Sequence, residues 1–207
     1  MAKVFMSFGL AILISAAGTY TAFRYFSYFL FTHSFAIWGL FAIELILVLT
    51  SRLWSTRHPL NYALFALFAF TSGATLMPLF VGTLLEFGGP AIIIKAFLAT
   101  TLTFGASAVF GWVTHRNLSG LGGFLTLTLI GMIVVSLLGF FIPWGNNFEM
   151  IFSGIGIGLF SLYTMYDIQR LKVYPEDRYI DAALQLYLDI FNLFIFILRL
   201  IGGVSRR

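Results

Sequence analysis

AALQLYLDIFNLFIFILRLIGG, residues 182 to 203, is the stretch whose reading decides the fold. It is long and apolar enough to cross a bilayer as one helix, yet it carries Gln185, Asp189, Asn192 and Arg199. The steps between them are four, three and seven residues, which is heptad spacing and predicts one narrow polar stripe. An ionised carboxylate or guanidinium near mid-membrane costs about 3 kcal/mol, so the stripe is expected to face protein or a water-filled cavity. This last helix is therefore expected to lie against the middle of a bundle.

The rest of the composition agrees. The chain has 207 residues, 60% hydrophobic and 10% charged, with a mean hydropathy of +0.97. A soluble domain carries about a quarter charged residues, so this is read as a polytopic membrane protein. Cysteine is absent, which excludes a disulfide framework and a thiolate site. Aromatics make up 18%, mostly Phe, and suit a lipid-embedded body with interfacial belts. The net charge of +4 is scattered, so it reads as membrane topology and no nucleic-acid partner is expected.

Working outward, the sequence supplies seven apolar runs of spanning length: Val4 to Phe23, Phe35 to Leu53, Tyr62 to Leu84, Ala91 to Thr114, Leu121 to Ile142, Met150 to Leu171 and Ala182 to Gly203. The first is expected to be a retained helix, because no small-residue cleavage site follows it. The breaks carry turn chemistry or charge: Arg57-His58-Pro59, Gly88-Gly89-Pro90, His115-Arg116-Asn117, Pro143-Trp144-Gly145-Asn146-Asn147 and Tyr174-Pro175-Glu176-Asp177-Arg178. No linker separates two domains, so residues 1–207 are expected to form a single seven-helix transmembrane domain. No internal repeat is visible, which weakens a transporter built from duplicated halves.

Seven Lys and Arg fall on the amino-terminal side (Lys3, Arg52, Arg57, Arg116, Arg170, Lys172, Arg178) against Arg24, Lys95, Arg199, Arg206 and Arg207 opposite. The positive-inside rule then predicts a cytoplasmic amino terminus, although the Arg206-Arg207 tail argues the other way. Small residues at Ser72-Gly73-Ala74, from Gly105 to Gly111, and at Gly154, Gly156 and Gly158 are expected to let helix backbones approach. The Gly154 series lies inside an apolar span with no preceding strand, so no nucleotide site is read there. Pro78, within the third run, frees a backbone carbonyl and predicts a kink near Thr75.

The sixth and seventh runs form a hairpin. Asp167 lies eleven residues before Arg178 and Asp189 eleven after it, so antiparallel packing brings both carboxylates to similar depth. Two carboxyls in one desolvated site cannot both ionise cheaply, and such a pair shares one proton and titrates as a unit. The simpler alternatives are an ion pair of Asp167 with Arg170 at i+3 and a purely structural hydrogen bond for Asp189. Asn192 is expected to orient Asp189 or to bond a neighbouring carbonyl, and Gln185 to be interfacial. Arg52 is a candidate cation for the pair, with Arg57 the alternative; snorkelling to headgroups is the competing reading of both. Glu44 lies eight residues before Arg52, where it lines a cation path or caps a polar cavity.

FAFTSGATLMPL (68–79) and ALQLYLDIFNLFIFILRLIG (183–202) resemble the Bax inhibitor-1 (TMBIM) family, and the chain is similar to its short bacterial members. The resemblance implies an all-α seven-transmembrane-helix bundle with the last helix surrounded by the other six. It implies a pH-sensitive calcium leak gated by a di-aspartyl pair, carried here by Asp167 and Asp189, with calcium bound only transiently. The acidic residue of the family's second helix matches Glu44. The family's arginine beside the pair departs: a gapless count from Glu44 puts its place on Ser55, with Arg52 and Arg57 on either side.

The expected function is a calcium-permeable leak channel in a bacterial inner membrane, with lipid, calcium and protons as partners and no cofactor. Rival classes are a non-conducting regulator that binds other membrane proteins, such as a membrane protease, and a proton-coupled cation carrier. An enzyme is not expected. His33, His58 and His115 all sit at run ends, no Gly-x-Ser-Gly nucleophile is present, and Ser107 has no identifiable histidine at its depth. The seventh run lacks the lysine that a retinal Schiff base needs.

Overall fold

The computed structural model describes residues 1–139, 141–142 and 144–206. Pro143 of the fifth break and Arg207 of the basic tail lie outside the described residues. Among the described residues there is no strand. The helices are α1 (Ala2–Thr21), α2 (Ser27–Thr32), α3 (Ser34–Leu49), α4 (Ser51–Trp54), α5 (Leu60–Phe87), α6 (Ala91–Val113), α7 (Leu121–Leu138), α8 (Asn146–Leu171) and α9 (Tyr179–Ser205).

Six helical segments among the described residues are long and apolar enough to cross a membrane. The first corrects the sequence reading. It continues beyond Phe23 through a π turn, Ala22–Phe26, into α2, making 31 residues in all. That is about 46 Å of helix, longer than a hydrocarbon core of about 30 Å. Arg24 alone does not end it, since no Gly or Pro interrupts Phe23 to Thr32. The second run is also corrected: it breaks at Thr50 and leaves α3 with only 16 residues. Thr50 Oγ1 donates to the Ile46 carbonyl at 2.6 Å, and Trp54 Nε1 reaches back to the Leu47 carbonyl at 3.1 Å. Such side-chain bonds compete with the helical ladder. By contrast α5 runs unbroken through Pro78, and it ends at Gly88, whose φ of 67° suits a residue without a Cβ.

Two compact groups of residues make up the chain, one of 1–89 with 174–187 and one of 90–173 with 188 onward. In the first, α1 and α5 run parallel. Lys3 lies 5.7 Å from the Tyr179 ring, whose hydroxyl bonds that of Tyr62 at 2.7 Å, while further along Ala22 and Leu30 pack with Ala74 and Met77. Gly18 and Gly73 let these two backbones touch: an ideal Cβ on Gly73 would lie 1.9 Å from the Ser15 carbonyl oxygen. Small residues serve this purpose in lipid, where no hydrophobic drive pulls helices together. α3 runs antiparallel to α5, with Ala36, Ile37 and Leu40 near Met77 and Glu44 bonded to Thr75.

In the second group α6 and α8 are parallel and in backbone contact, an ideal Cβ on Gly111 falling 2.4 Å from the Met165 carbonyl oxygen. α7 is antiparallel to α8, with Gly122 against the Tyr166 hydroxyl and Thr126 against Tyr163. The later part of α9 packs antiparallel to α8. Asn146 Nδ2 donates to the Gly203 carbonyl at 3.2 Å, and Gly156 makes room for the Phe196 ring. Gly105, Gly154 and Gly158, expected at close approaches, face open space.

Candidate carboxylate site

Asp167 sits one turn before the end of α8, and Asp189 lies on α9. The antiparallel packing that joins 146 to 203 and 156 to 196 continues toward the hairpin turn and carries Asp189 within electrostatic reach of Asp167. Both side chains are buried, Asp167 at 7% and Asp189 at 3% relative exposure, and each charge acts on the other. Asp189 Oδ2 has no hydrogen-bond partner among the described residues. A buried carboxylate oxygen left without a donor is costly and points to a proton, water or ion in its place.

Tyr163 was not anticipated. It lies one helical turn before Asp167, half-buried, where both carboxylate charges reach its phenol. The i, i+4 spacing of 163 and 167 was the available signal. Asn192 donates to the Leu188 carbonyl at 2.7 Å, the neighbouring-carbonyl alternative, within its own helix. Gln185 is half-buried and donates to the Tyr174 hydroxyl at 3.3 Å, and Tyr174 in turn donates to Asp181. The first member of the stripe thus ties the loop before α9 to its opening turns.

Arg199 departs from the expectation. It is exposed and lies in the field of Glu149, in the first turn of α8. At about 100° per residue a straight helix turns Arg199 about 80° away from Asp189, which sets the two at opposite edges of the stripe. The second-helix residues belong to the other group. Glu44 Oε1 accepts from Thr75 Oγ1 at 3.0 Å, near Ser72. Arg52 and Arg57 are exposed, whereas Ser55 between them is buried at 2% and its carbonyl accepts from Asn61 Nδ2 at 3.2 Å. A buried small residue thus stands where the gapless count puts an arginine.

Among the described residues no three His, Cys, Asp or Glu side chains gather into a metal cluster. Two carboxylates offer part of what calcium needs, which is six to eight oxygens.

The family model described as inhibitor of apoptosis-promoting Bax1 matches residues 1–206. The chain belongs to the Bax inhibitor-1 family. Relatives within it include Bax inhibitor 1 of Schizosaccharomyces pombe, 33% identical over 86% of this chain and 65% of the relative. Inner membrane protein YbhL of Escherichia coli is 30% identical over 84% of this chain and 77% of its own length. Protein LIFEGUARD 4 of Arabidopsis thaliana is 31% identical over 93% and 79%. As a Bax inhibitor-1 family chain with six apolar helices of spanning length among the described residues, it is a multi-pass integral membrane protein.

Proposed function

We propose that this chain is a pH-sensitive, calcium-permeable leak channel whose gate is the pair Asp167 and Asp189. One observation carries the reading: two carboxylates, Asp167 and Asp189, are buried on neighbouring antiparallel helices, and among the described residues one oxygen of Asp189 lacks a donor. A proton shared between them bridges α8 and α9 and closes the path. Losing that proton as pH rises leaves two repelling charges in a desolvated place, which favours separation and draws a divalent cation. Calcium fits as a passing ion, because carbonyls and water complete its shell and no resident cluster holds it.

In this reading the bundle has seven spans, α3 with α4 being the second, and α9 is the central helix. The direction of the helices supports the count: α1 and α5 run parallel, so the chain must return between them, and α3 runs antiparallel to α5. The burial of Ala183, Leu186, Leu193 and Leu198 along α9 supports its central place. The chain sits in a bacterial inner membrane with its amino terminus in the cytoplasm, Glu44, Asn192 and Arg199 are supporting polar groups, and Arg52 or Arg57 is the latch cation.

The test is calcium flux into proteoliposomes over a pH series, with Asp167→Asn and Asp189→Asn alongside. Flux that rises with pH in the native chain and is flat in both variants supports the gate. Flux that ignores pH in all three sinks it. No flux at any pH, with a membrane protein that co-purifies stably, supports the non-conducting regulator in its place.

A further inference from the structure

Tyr187 stands two residues before Asp189 on α9, and at 1% exposure it is almost wholly enclosed. Its ring meets Phe65 and Phe68 of α5 edge-on, with centroids 6.3 and 5.7 Å away. Its hydroxyl lies at Ser15 of α1 and Ser72 of α5. Edge-to-face aromatic pairs hold a geometry as well as burying area. A second attachment to the same two helices lies nearer the start of α9. There the Tyr179 hydroxyl donates to that of Tyr62 on α5 at 2.7 Å, and Lys3 of α1 stands 5.7 Å from the Tyr179 ring.

The two attachments are eight residues apart, about 12 Å along the helix and about 80° round it. They lie on one broad side of α9, and Ala183 midway between them is fully buried. Contacts at 3 and 15 on α1, and at 62 and 65 to 72 on α5, follow 179 and 187 in the same order, so the opening half of α9 runs parallel to both helices. One attachment would leave a helix free to swivel. Two fix its axis and its rotation together.

That rotation decides where Asp189 points. Two residues beyond Tyr187 is about 200° round the axis, so docking the Tyr187 ring on α5 turns Asp189 about 160° away from it. The titratable groups in electrostatic reach of Asp189 are Asp167 and Tyr163, both on α8, while Tyr187 itself lies in the field of Glu44 on α3. A rotation of α9 by about 30° moves the Asp189 Cα by about 1.2 Å, and its carboxyl further. A swing of that size changes which groups the carboxyl meets.

We propose that Tyr187, with Tyr179 as the outer anchor, is a positioning residue for the carboxylate pair: its ring on Phe65 and Phe68 fixes the rotation of α9 and so the direction of Asp189. The consequence for calcium rests on the gate proposed above; the placement of Asp189 does not.

The experiment follows the Asp189 carboxyl in the full chain, reconstituted in phospholipid vesicles, as the infrared carboxyl band that Asp189→Asn removes, titrated from about pH 4 to pH 9. Tyr187→Leu frees the rotation and should move the midpoint of that band by about one pH unit, a tenfold change in proton affinity. Tyr187→Phe keeps the ring on α5 and should hold the native midpoint within about 0.3 pH unit. If Tyr187→Leu does not fold, Tyr179→Leu at the half-buried outer anchor makes the test, with about a threefold change in affinity expected. Tyr28→Leu, at a position 81% exposed, should leave the midpoint unchanged. A folded Tyr187→Leu with the native midpoint overturns the proposal, because lost packing alone lowers stability and leaves the titration in place. A Tyr187→Phe shift as large as that of Tyr187→Leu overturns it too, as does a band that does not titrate in the native chain. Calcium flux that ignores pH, beside a band that titrates and follows Tyr187, sinks the gate and leaves the placement of Asp189 standing.

Discussion

Gly73→Ala tests the tightest contact in the first group of helices. An ideal Cβ at Gly73 falls 1.9 Å from the Ser15 carbonyl oxygen, and one at Gly18 falls 2.2 Å from that of Phe70. Both obstacles are backbone, so no side-chain rotation relieves them, and α1 and α5 must part by about 1 Å. Overpacking of this kind costs about 1 to 3 kcal/mol. Separation also stretches the bond from Thr19 Oγ1 to the Gly73 carbonyl, 2.7 Å in the native chain, and an interhelical bond in a membrane contributes about 0.6 kcal/mol. Alanine gains helix propensity over glycine, about 1 kcal/mol, wherever space allows. Gly9→Ala on the same helix has nothing within 4 Å and isolates that gain. Relative to Gly9→Ala, Gly73→Ala should be less stable by about 2 to 4 kcal/mol. The assay is reversible unfolding in dodecylmaltoside with increasing dodecyl sulfate, followed by helical circular dichroism. Stabilities for the two variants within about 0.5 kcal/mol of each other would refute the close approach of α1 and α5.

The same logic in the second group makes Gly111→Ala destabilising by about 1 to 3 kcal/mol against Gly105→Ala, because the Met165 carbonyl blocks the first and nothing blocks the second. Gln169→Leu removes both amide bonds to the α6–α7 loop, so amide exchange at Leu118 should quicken by about tenfold while helical content stays native. Tyr174→Phe deletes the hydroxyl that joins Asp181 to Gln185 and should cost about 1 to 2 kcal/mol in the same unfolding assay. Arg199→Gln should change stability by less than about 0.5 kcal/mol, as for other exposed positions; a loss of several kcal/mol would mean that Arg199 is enclosed after all.

The burial of the two carboxylates was legible because a charge in an apolar run must avoid lipid, and their depth follows from counting along a hairpin, since a helix rises by a constant amount per residue. Arg199 shows how far such counting reaches: ten residues along a straight helix set it about 80° round the axis from Asp189, so the two can share a broad face without sharing an environment. Gln169 and Tyr163 escaped notice because each sits in an amphipathic position where a polar side chain has several possible uses.

By itself the sequence determined the membrane environment and most of the spanning helices, because transfer of a long apolar run from water to lipid depends on that run alone. It also set Asp167 and Asp189 at equal distances from the turn of the last hairpin. Tertiary structure alone decided which glycines carry backbone contacts, Gly73 and Gly111 but not Gly105 or Gly154. It decided that Ser55 is buried while Arg52 and Arg57 are not, and that among the described residues one oxygen of Asp189 is left without a donor. These depend on the rotation of each helix about its axis, and that rotation is set by the packing of neighbours far away in the chain.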